Sequence, residues 1–346
     1  MPERPRRRGP AATYPVRVLG TGAYLPPRVV TSAQLDLEHG RPAGTTEARS
    51  GVRQRRWADE SETSSRMATA AVAQALHAAG LAPTDLDAVI AASVAPEQPM
   101  PTNAVLVLRE LGLDGTGVDG GVEGFDVNSS CLGFLTAFEL ATLGIAAGRW
   151  DTVAIVAAEV ASKALNHADI ESSAIFGDGA GAAILARSPE DDDSRVLALN
   201  FATWSGGADL CQIAAGGTRW NVVTPPPDPT TYLFRMNGLG LMKLAAGQLP
   251  TFLPAVLKQA SLDLDGIDVI VPHQVSHLGL RYLRERLGAP EEKVIDILAT
   301  RGNQVSASLP TALHHAVTSQ RLRRGDTVLL LGTAAGVSIG AVVLRF

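Results

Sequence analysis

The chain repeats itself, and the repeat restricts its fold more than any other feature. Residues 151–156 read Asp-Thr-Val-Ala-Ile-Val, and residues 326–331 read Asp-Thr-Val-Leu-Leu-Leu. Leu-Asp-Ala-Val-Ile at 86–90 returns as Ile-Asp-Val-Ile-Val at 267–271, each after a helical stretch, 65–80 and 247–261. Gly181-Ala-Ala-Ile-Leu185 returns as Gly340-Ala-Val-Val-Leu344. Short β-branched runs that alternate with Ala-rich helical runs imply mainly parallel sheets covered on both faces. Each half should therefore run strand, helix, strand, helix, strand, helix, then a closing hairpin. The expected organisation is a disordered basic tail (1–14), an N-terminal half (15–187) and a C-terminal half (188–346). Within 186–235 the pattern breaks, and Asp191–Asp193 and Pro225–Pro227 mark surface loops.

Composition narrows the function. Of 346 residues, 46% are hydrophobic and 19% charged, which supports a large core and excludes global disorder. The formal net charge of -5 argues against a dedicated nucleic-acid binder. Arg4, Arg6, Arg7 and Arg8 lie near the start, but no apolar segment follows, so no secretory signal is expected. No charge-free apolar run is long enough for a transmembrane helix. A cytoplasmic enzyme in a reducing compartment is expected. Two cysteines, Cys131 and Cys211, are too few for a disulfide framework.

One of them sits where chemistry is done. Residues 122–127 read as a buried strand, Asn128–Ser130 as a turn, and an apolar helix runs on to about Gly148. Cys131 thus lies near a helix N-terminus, where unpaired N–H groups favour a thiolate. Cys211 lies in the irregular middle region and reads as ordinary. The strand 269–271 ends at Pro272–His273, and active-site groups of α/β proteins gather at such ends. His273 and His277 have zinc-like spacing, but Gln274 stands where a zincin needs glutamate, so no metal is expected. The strand expected at 294–297 leads to Gly302–Asn303 and a helix starting near Ser306–Ser308. By the repeat, Asn303 is the counterpart of Cys131, and a pseudo-twofold brings both helix starts to the centre. An α/β-hydrolase reading is weakened by Ser129, where its nucleophile elbow wants glycine. Gly20-Thr-Gly22 is followed by Pro26–Pro27 and is no dinucleotide fingerprint; Phe176-Gly-Asp-Gly-Ala-Gly181 feeds a strand and is no phosphate loop.

Four motifs in order carry a family resemblance: Asp126-Val-Asn-Ser-Ser-Cys131-Leu-Gly-Phe134, Phe176-Gly-Asp-Gly-Ala-Gly-Ala182, Val271-Pro-His273-Gln274 and Gly302-Asn303-Gln-Val-Ser-Ala-Ser308. With Gly20-Thr-Gly-Ala-Tyr-Leu-Pro26 and Ser50-Gly-Val-Arg-Gln-Arg55, the chain resembles β-ketoacyl-acyl-carrier-protein synthase III over about residues 16–346. The resemblance implies an α/β thiolase fold, two pseudo-twofold-related halves in αβαβα layers, and a homodimer. It implies that Cys131 takes an acyl group from a thioester, while His273 and Asn303 stabilise the enolate left by malonyl decarboxylation. The N–H groups of Cys131 and Ala335 would form the oxyanion hole. Phe176, Phe234 and Met236 would line the substrate pocket, and Met100 would cross the dimer interface into it. Arg49, Lys243, Arg281, Arg284 and Arg286 would offer a basic rim to an acidic acyl carrier protein. No cofactor is implied beyond acyl donors borne on coenzyme A or the carrier protein.

The departures from the family are informative. Its usual triple-glycine loop is Ala334-Ala335-Gly336 here, and its adenine-stacking Trp is Thr45. Two arginines expected at the coenzyme A site are Ile170 and Leu278. A carrier-borne donor or a looser coenzyme A site follows, and the pathway expected is a specialised (natural-product) one or fatty-acid synthesis, with a leaning toward the former. An alternative is acyl transfer onto a hydroxyl or amine of a small molecule, with His273 as general base. Met100 stands where a related olefin-forming branch carries a catalytic glutamate, which disfavours a non-decarboxylative condensation.

Overall fold

A computed structural model describes residues 13–114 and 121–346. Its N-terminal half opens with strand β1 (Val16–Tyr24) and a small subdomain of β2 (Val29–Thr31), α1 (Ser32–Glu38), α2 (Thr45–Ser50) and β3 (Gln54–Arg56). Then come α3 (Ser64–Ala79), β4 (Ala88–Ala91), α4 (Asn103–Glu110), β5 (Glu123–Asp126), α5 (Gly133–Ala146), β6 (Thr152–Glu159), α6 (Ile170–Ser173) and β7 (Gly179–Arg187). The C-terminal half contains β8 (Arg195–Gly207), β9 (Cys211–Gln212), β10 (Arg235–Met236), α7 (Gly238–Gln259), β11 (Val269–Pro272) and α8 (His277–Leu287). It closes with α9 (Leu298–Arg301), α10 (Ser308–Thr318), β12 (Thr327–Ala334) and β13 (Gly336–Arg345).

The repeat in the sequence is a repeat in the structure. One sheet has the order β1-β7-β6-β4-β5 and the other β8-β13-β12-β11. In both, each of the first three strands runs antiparallel to its neighbour and the next joins in parallel. Where β5 lies parallel to β4, the second sheet has only a parallel bridge between Ile270 and Val294. The strand expected at 294–297 is thus a single pairing. Tyr14 is also not part of a tail: it pairs with Val196 through two 2.9 Å backbone hydrogen bonds. Residues 1–12 of the expected tail lie outside the described residues.

Side-chain alternation builds the layers. Ala88 and Ile90 of β4 face a middle layer, while Val89 and Ala91 face α3 and α4. Val328 and Leu330 of β12 face that middle layer too, while Leu329 and Leu331 face α7. The middle layer is α5 and α10, one helix from each half, and α5 is apolar around most of its girth: Phe134, Leu135, Ala137, Phe138, Ala141 and Ile145 are all buried. The result is the αβαβα thiolase fold. Its outer helix α3 is capped by Thr63 and ended by Gly80 in the left-handed conformation. Gly20 and Gly22 let it lie on β1, since a Cβ there would come within 2.2 Å of Ala75 O and 2.1 Å of Ala71 O. That is why glycines recur within the first strand without any phosphate to bind. No helix among the described residues is long and apolar enough to cross a membrane.

Candidate active site

The turn before α5 holds Cys131 rigidly. Asn128 Oδ1 accepts the Ser130 N–H at 2.9 Å, and Asn128 Nδ2 donates to Val94 O at 2.9 Å. Ser130 takes φ +50°, and the N–H groups of Leu132 and Gly133 close tight turns onto Ser129 O and Ser130 O. Gly133 is required here, because a Cβ would sit 2.3 Å from Ala92 O. Cys131 therefore lies just outside the first turn of α5, whose N-cap is Leu132.

His273 follows β11 and extends its parallel pairing, its N–H donating to Leu331 O at 2.8 Å. The next residue fixes the bend. Gln274, fully buried, donates to Pro272 O and Ile295 O and accepts from the Ile297 N–H at 2.9 Å. These bonds occupy the residue that interrupts the zinc-like pattern. Among the described residues, no group of three or more His, Cys, Asp or Glu is placed to hold a metal. His273 is 3% exposed and its Nδ1 has no partner. Burial without a partner penalises the charged ring and holds its pKa down at about 4, so the imidazole is neutral near pH 7.

Asn303 is clamped in one orientation. Its Oδ1 accepts from the Val305 N–H at 2.8 Å and from Ser308 Oγ at 3.2 Å. The amide NH2 is therefore the free end; one hydrogen goes to Val275 O at 3.2 Å and the other is available. Its backbone pairs with the Phe176 segment through Asn303 N to Ile175 O and Gly177 N to Asn303 O. The Phe-Gly-Asp-Gly motif is thus a brace for Asn303, and Asp178 extends the brace to Ala58 N and Ser162.

Cys131, His273, Asn303, Ala335, Phe176, Phe234, Met236 and Arg49 all line one cavity of about 560 Å³. Phe176 and Phe234 meet edge to face at 4.8 Å. Met100 is not in this cavity; it stands 83% exposed at the surface of its own chain. Lys243, Arg281 and Arg286 are exposed on α7 and α8 away from the lining. Arg284 is not a free basic group: it pairs with Glu291 at 3.5 Å and Asp296 at 3.7 Å, and Arg281 faces Glu285 at 3.9 Å. Ile170 and Leu278 line the same cavity wall as Arg49 does.

The expected resting thiolate is reversed. Burial pushes the Cys131 thiol up, and Cys211 and Glu159 push it further. Only the N–H groups of Cys131 and Ala335 pull the other way. Desolvation outweighs the helix start because the sulfur lies in an apolar cavity. Cys131 and His273 are thus both neutral at rest, and charge appears only as a substrate reacts.

The structure places two further residues in the lining: Cys211, expected to be ordinary, and Glu159, which no sequence motif marked. Cys211 sits in the short β9–β10 pair opposite Met236, and burial pushes its thiol up to about 11. Glu159 ends β6, 2% exposed, and burial pushes its carboxyl up to about 7. A glutamate closing an otherwise apolar strand was the available signal for the second.

Family models for 3-oxoacyl-[acyl-carrier-protein] synthase III match residues 125–205, and those for its C-terminal part match 257–346. A β-ketoacyl-[acyl-carrier-protein] synthase III of Streptomyces coelicolor is 34% identical over 327 residues, covering 94% of this chain and 96% of the relative. The crystal structure of 3-oxoacyl-[acyl-carrier-protein] synthase III from Aquifex aeolicus superposes with a TM-score of 0.85 at 32% identity, covering 97% of this chain and 100% of that one. A priming β-ketosynthase from a polyketide biosynthetic pathway gives 0.86 at 29% identity, covering 98% of each.

Proposed function

The chain belongs to the 3-oxoacyl-[acyl-carrier-protein] synthase III family of condensing enzymes, and from that premise we propose that it loads an acyl group onto Cys131 and joins it, with loss of carbon dioxide, to a malonyl thioester. The observation that carries this reading is the clamped Asn303 amide, its NH2 presented beside a neutral His273 in the cavity that holds Cys131.

In the first half-reaction the Cys131 sulfur attacks the donor carbonyl and its proton passes to His273. The oxyanion meets the N–H groups of Cys131 and Ala335. The C–S bond to the carrier breaks, and the carrier thiol leaves with the proton, restoring neutral His273. In the second, the malonyl carboxylate leaves as carbon dioxide and its electron pair enters the thioester. The enolate oxygen takes hydrogen bonds from the His273 ring N–H and the free Asn303 N–H. The enolate carbon then attacks the acyl carbonyl, the bond to Cys131 sulfur breaks, the thiolate takes up a proton from solvent to restore the neutral thiol, and a β-ketoacyl thioester departs. Donors aimed at a charge that exists only in the transition state accelerate the step rather than tighten ground-state binding.

The apolar Ile170 and Leu278 at the cavity wall favour a carrier-protein donor over tightly held coenzyme A, with Arg49 as a cation in the lining. The likeness to a polyketide priming enzyme favours a specialised pathway. Met100, exposed on its own chain, suits entry into a partner's cavity in a homodimer.

The test is carbon dioxide release from carboxyl-labelled malonyl thioester, on coenzyme A and on carrier protein, with a short acyl donor. Release should require the acyl donor and fall about 100-fold in Asn303→Ala, while Cys131 acylation stays within a few fold. An enzyme that acylates but releases nothing would instead be an acyltransferase to a hydroxyl or amine.

A further inference from the structure

Glu159 has no part in the reaction just described, yet its carboxyl joins both catalytic turns. Its Oε1 accepts from the Val94 N–H at 2.7 Å and from the Ser306 hydroxyl. The backbone N–H groups of Ala95 and Ser306 also face it and favour its charged form. Val94 is itself tied to the Cys131 turn, because its carbonyl accepts from Asn128 Nδ2. Ser306 belongs to the turn that runs from Asn303 into α10. A single buried side chain therefore spans from the turn that aims the sulfur to the turn that aims the amide.

A carboxylate is a costly choice for such a brace. It lines an apolar cavity and faces Cys131, where its charge opposes thiolate formation. The other titratable groups lining the cavity are Cys131, His273, Cys211, Arg49, Glu171, His277 and Tyr282. Among the described residues no cation is paired with Glu159, so only hydrogen bonds offset its charge.

We propose that Glu159 is a positioning residue of the condensation: it fastens the Asn303 turn to the Cys131 turn, and its carboxyl restrains the Cys131 thiol. This rests on the roles of Cys131 and Asn303 given above. The two effects separate experimentally, because one concerns geometry and the other charge.

Glu159→Gln and Ser306→Ala are compared with the natural protein by two readouts. One is malonyl decarboxylation in the presence of an acyl donor. The other is the rate of Cys131 alkylation by iodoacetamide as a function of pH, resolved from Cys211 by peptide mass. Glu159→Gln should raise alkylation about tenfold, corresponding to a thiol pKa lower by about one. The same variant should lower decarboxylation about 10- to 100-fold through misplacement of Asn303. Ser306→Ala should lower decarboxylation in the same way and leave the alkylation profile unmoved. Both rates falling together in Glu159→Gln, or intact condensation in Ser306→Ala, overturns the proposal. If the natural protein releases no carbon dioxide at all, the condensation reading fails, and the alkylation arm still decides whether Glu159 restrains the thiol.

Discussion

Acid pulls on this fold in two opposed directions, and His273→Gln separates them. His273 is buried and neutral, with a pKa of about 4 in place of 6.5. Between those values the unfolded chain binds a proton that the native state refuses, so native stability falls as the pH falls. At about 1.4 kcal/mol per tenfold, the full interval amounts to about 3 kcal/mol. Glu159 acts oppositely. Its carboxyl is raised from 4.5 to about 7, so the native state keeps a proton that the unfolded chain releases. That contribution is present at low pH and is lost as the pH rises through about 7, again by about 3 kcal/mol. In the natural protein the two largely cancel across the shared window. In His273→Gln only the Glu159 contribution remains of the pair. Relative to the natural protein, the variant should gain about 2 kcal/mol between about pH 7 and about pH 4.5. Urea unfolding followed by circular dichroism reads this as a midpoint displaced upward by about 0.7 M at about 3 kcal/mol per molar. A variant-to-natural difference that stays constant across pH would mean that His273 titrates near its ordinary value, and would refute the dry cavity on which its neutrality rests.

Two further outcomes are expected. Cys131→Ala should lose the acyl mass adduct and about three orders of magnitude or more of turnover, and a persistent adduct on intact protein would move the nucleophile elsewhere. Met100→Ala should extend the chain-length profile, raising kcat/KM for longer acyl donors about tenfold, whereas an unchanged profile would remove Met100 from the pocket.

Much of this was legible in the sequence because the fold is written twice. The recurring β-branched runs at 151–156 and 326–331 became β6 and β12, which occupy equivalent places in the two sheets. The duplication also placed Asn303 opposite Cys131 before any geometry was known. What the sequence concealed has physical causes. Helix α7 begins at Gly238, well ahead of the expected 247, because Asn237 caps it by accepting from the Gly240 N–H, and its first turns carry three glycines that give no helical signal in sequence. Cys211 was unreadable because residues 207–236 have no periodicity from which to infer a facing. The thiolate at Cys131 was misjudged because a helix start is visible in sequence, whereas the depth of a cavity is not. Arg284 appeared free because Glu291 and Asp296 reach it only across a corner of the chain.

The pairing of β1 with β7 has a consequence for synthesis. Residues 16–24 wait for residues 179–187 before the first sheet can close. Its inner face waits longer, because α10, at residues 308–318, is what packs on β7, with Gly181 making room for Pro310 and Thr311. At about 5–20 residues per second, the interval between emergence of β7 and of α10 is roughly 6–25 s. Throughout it the nascent enzyme carries a complete sheet with half of its middle layer missing. A ribosome paused in that stretch presents Val16, Val18, Ala183 and Leu185, all buried in the finished protein, to whichever chaperone arrives first.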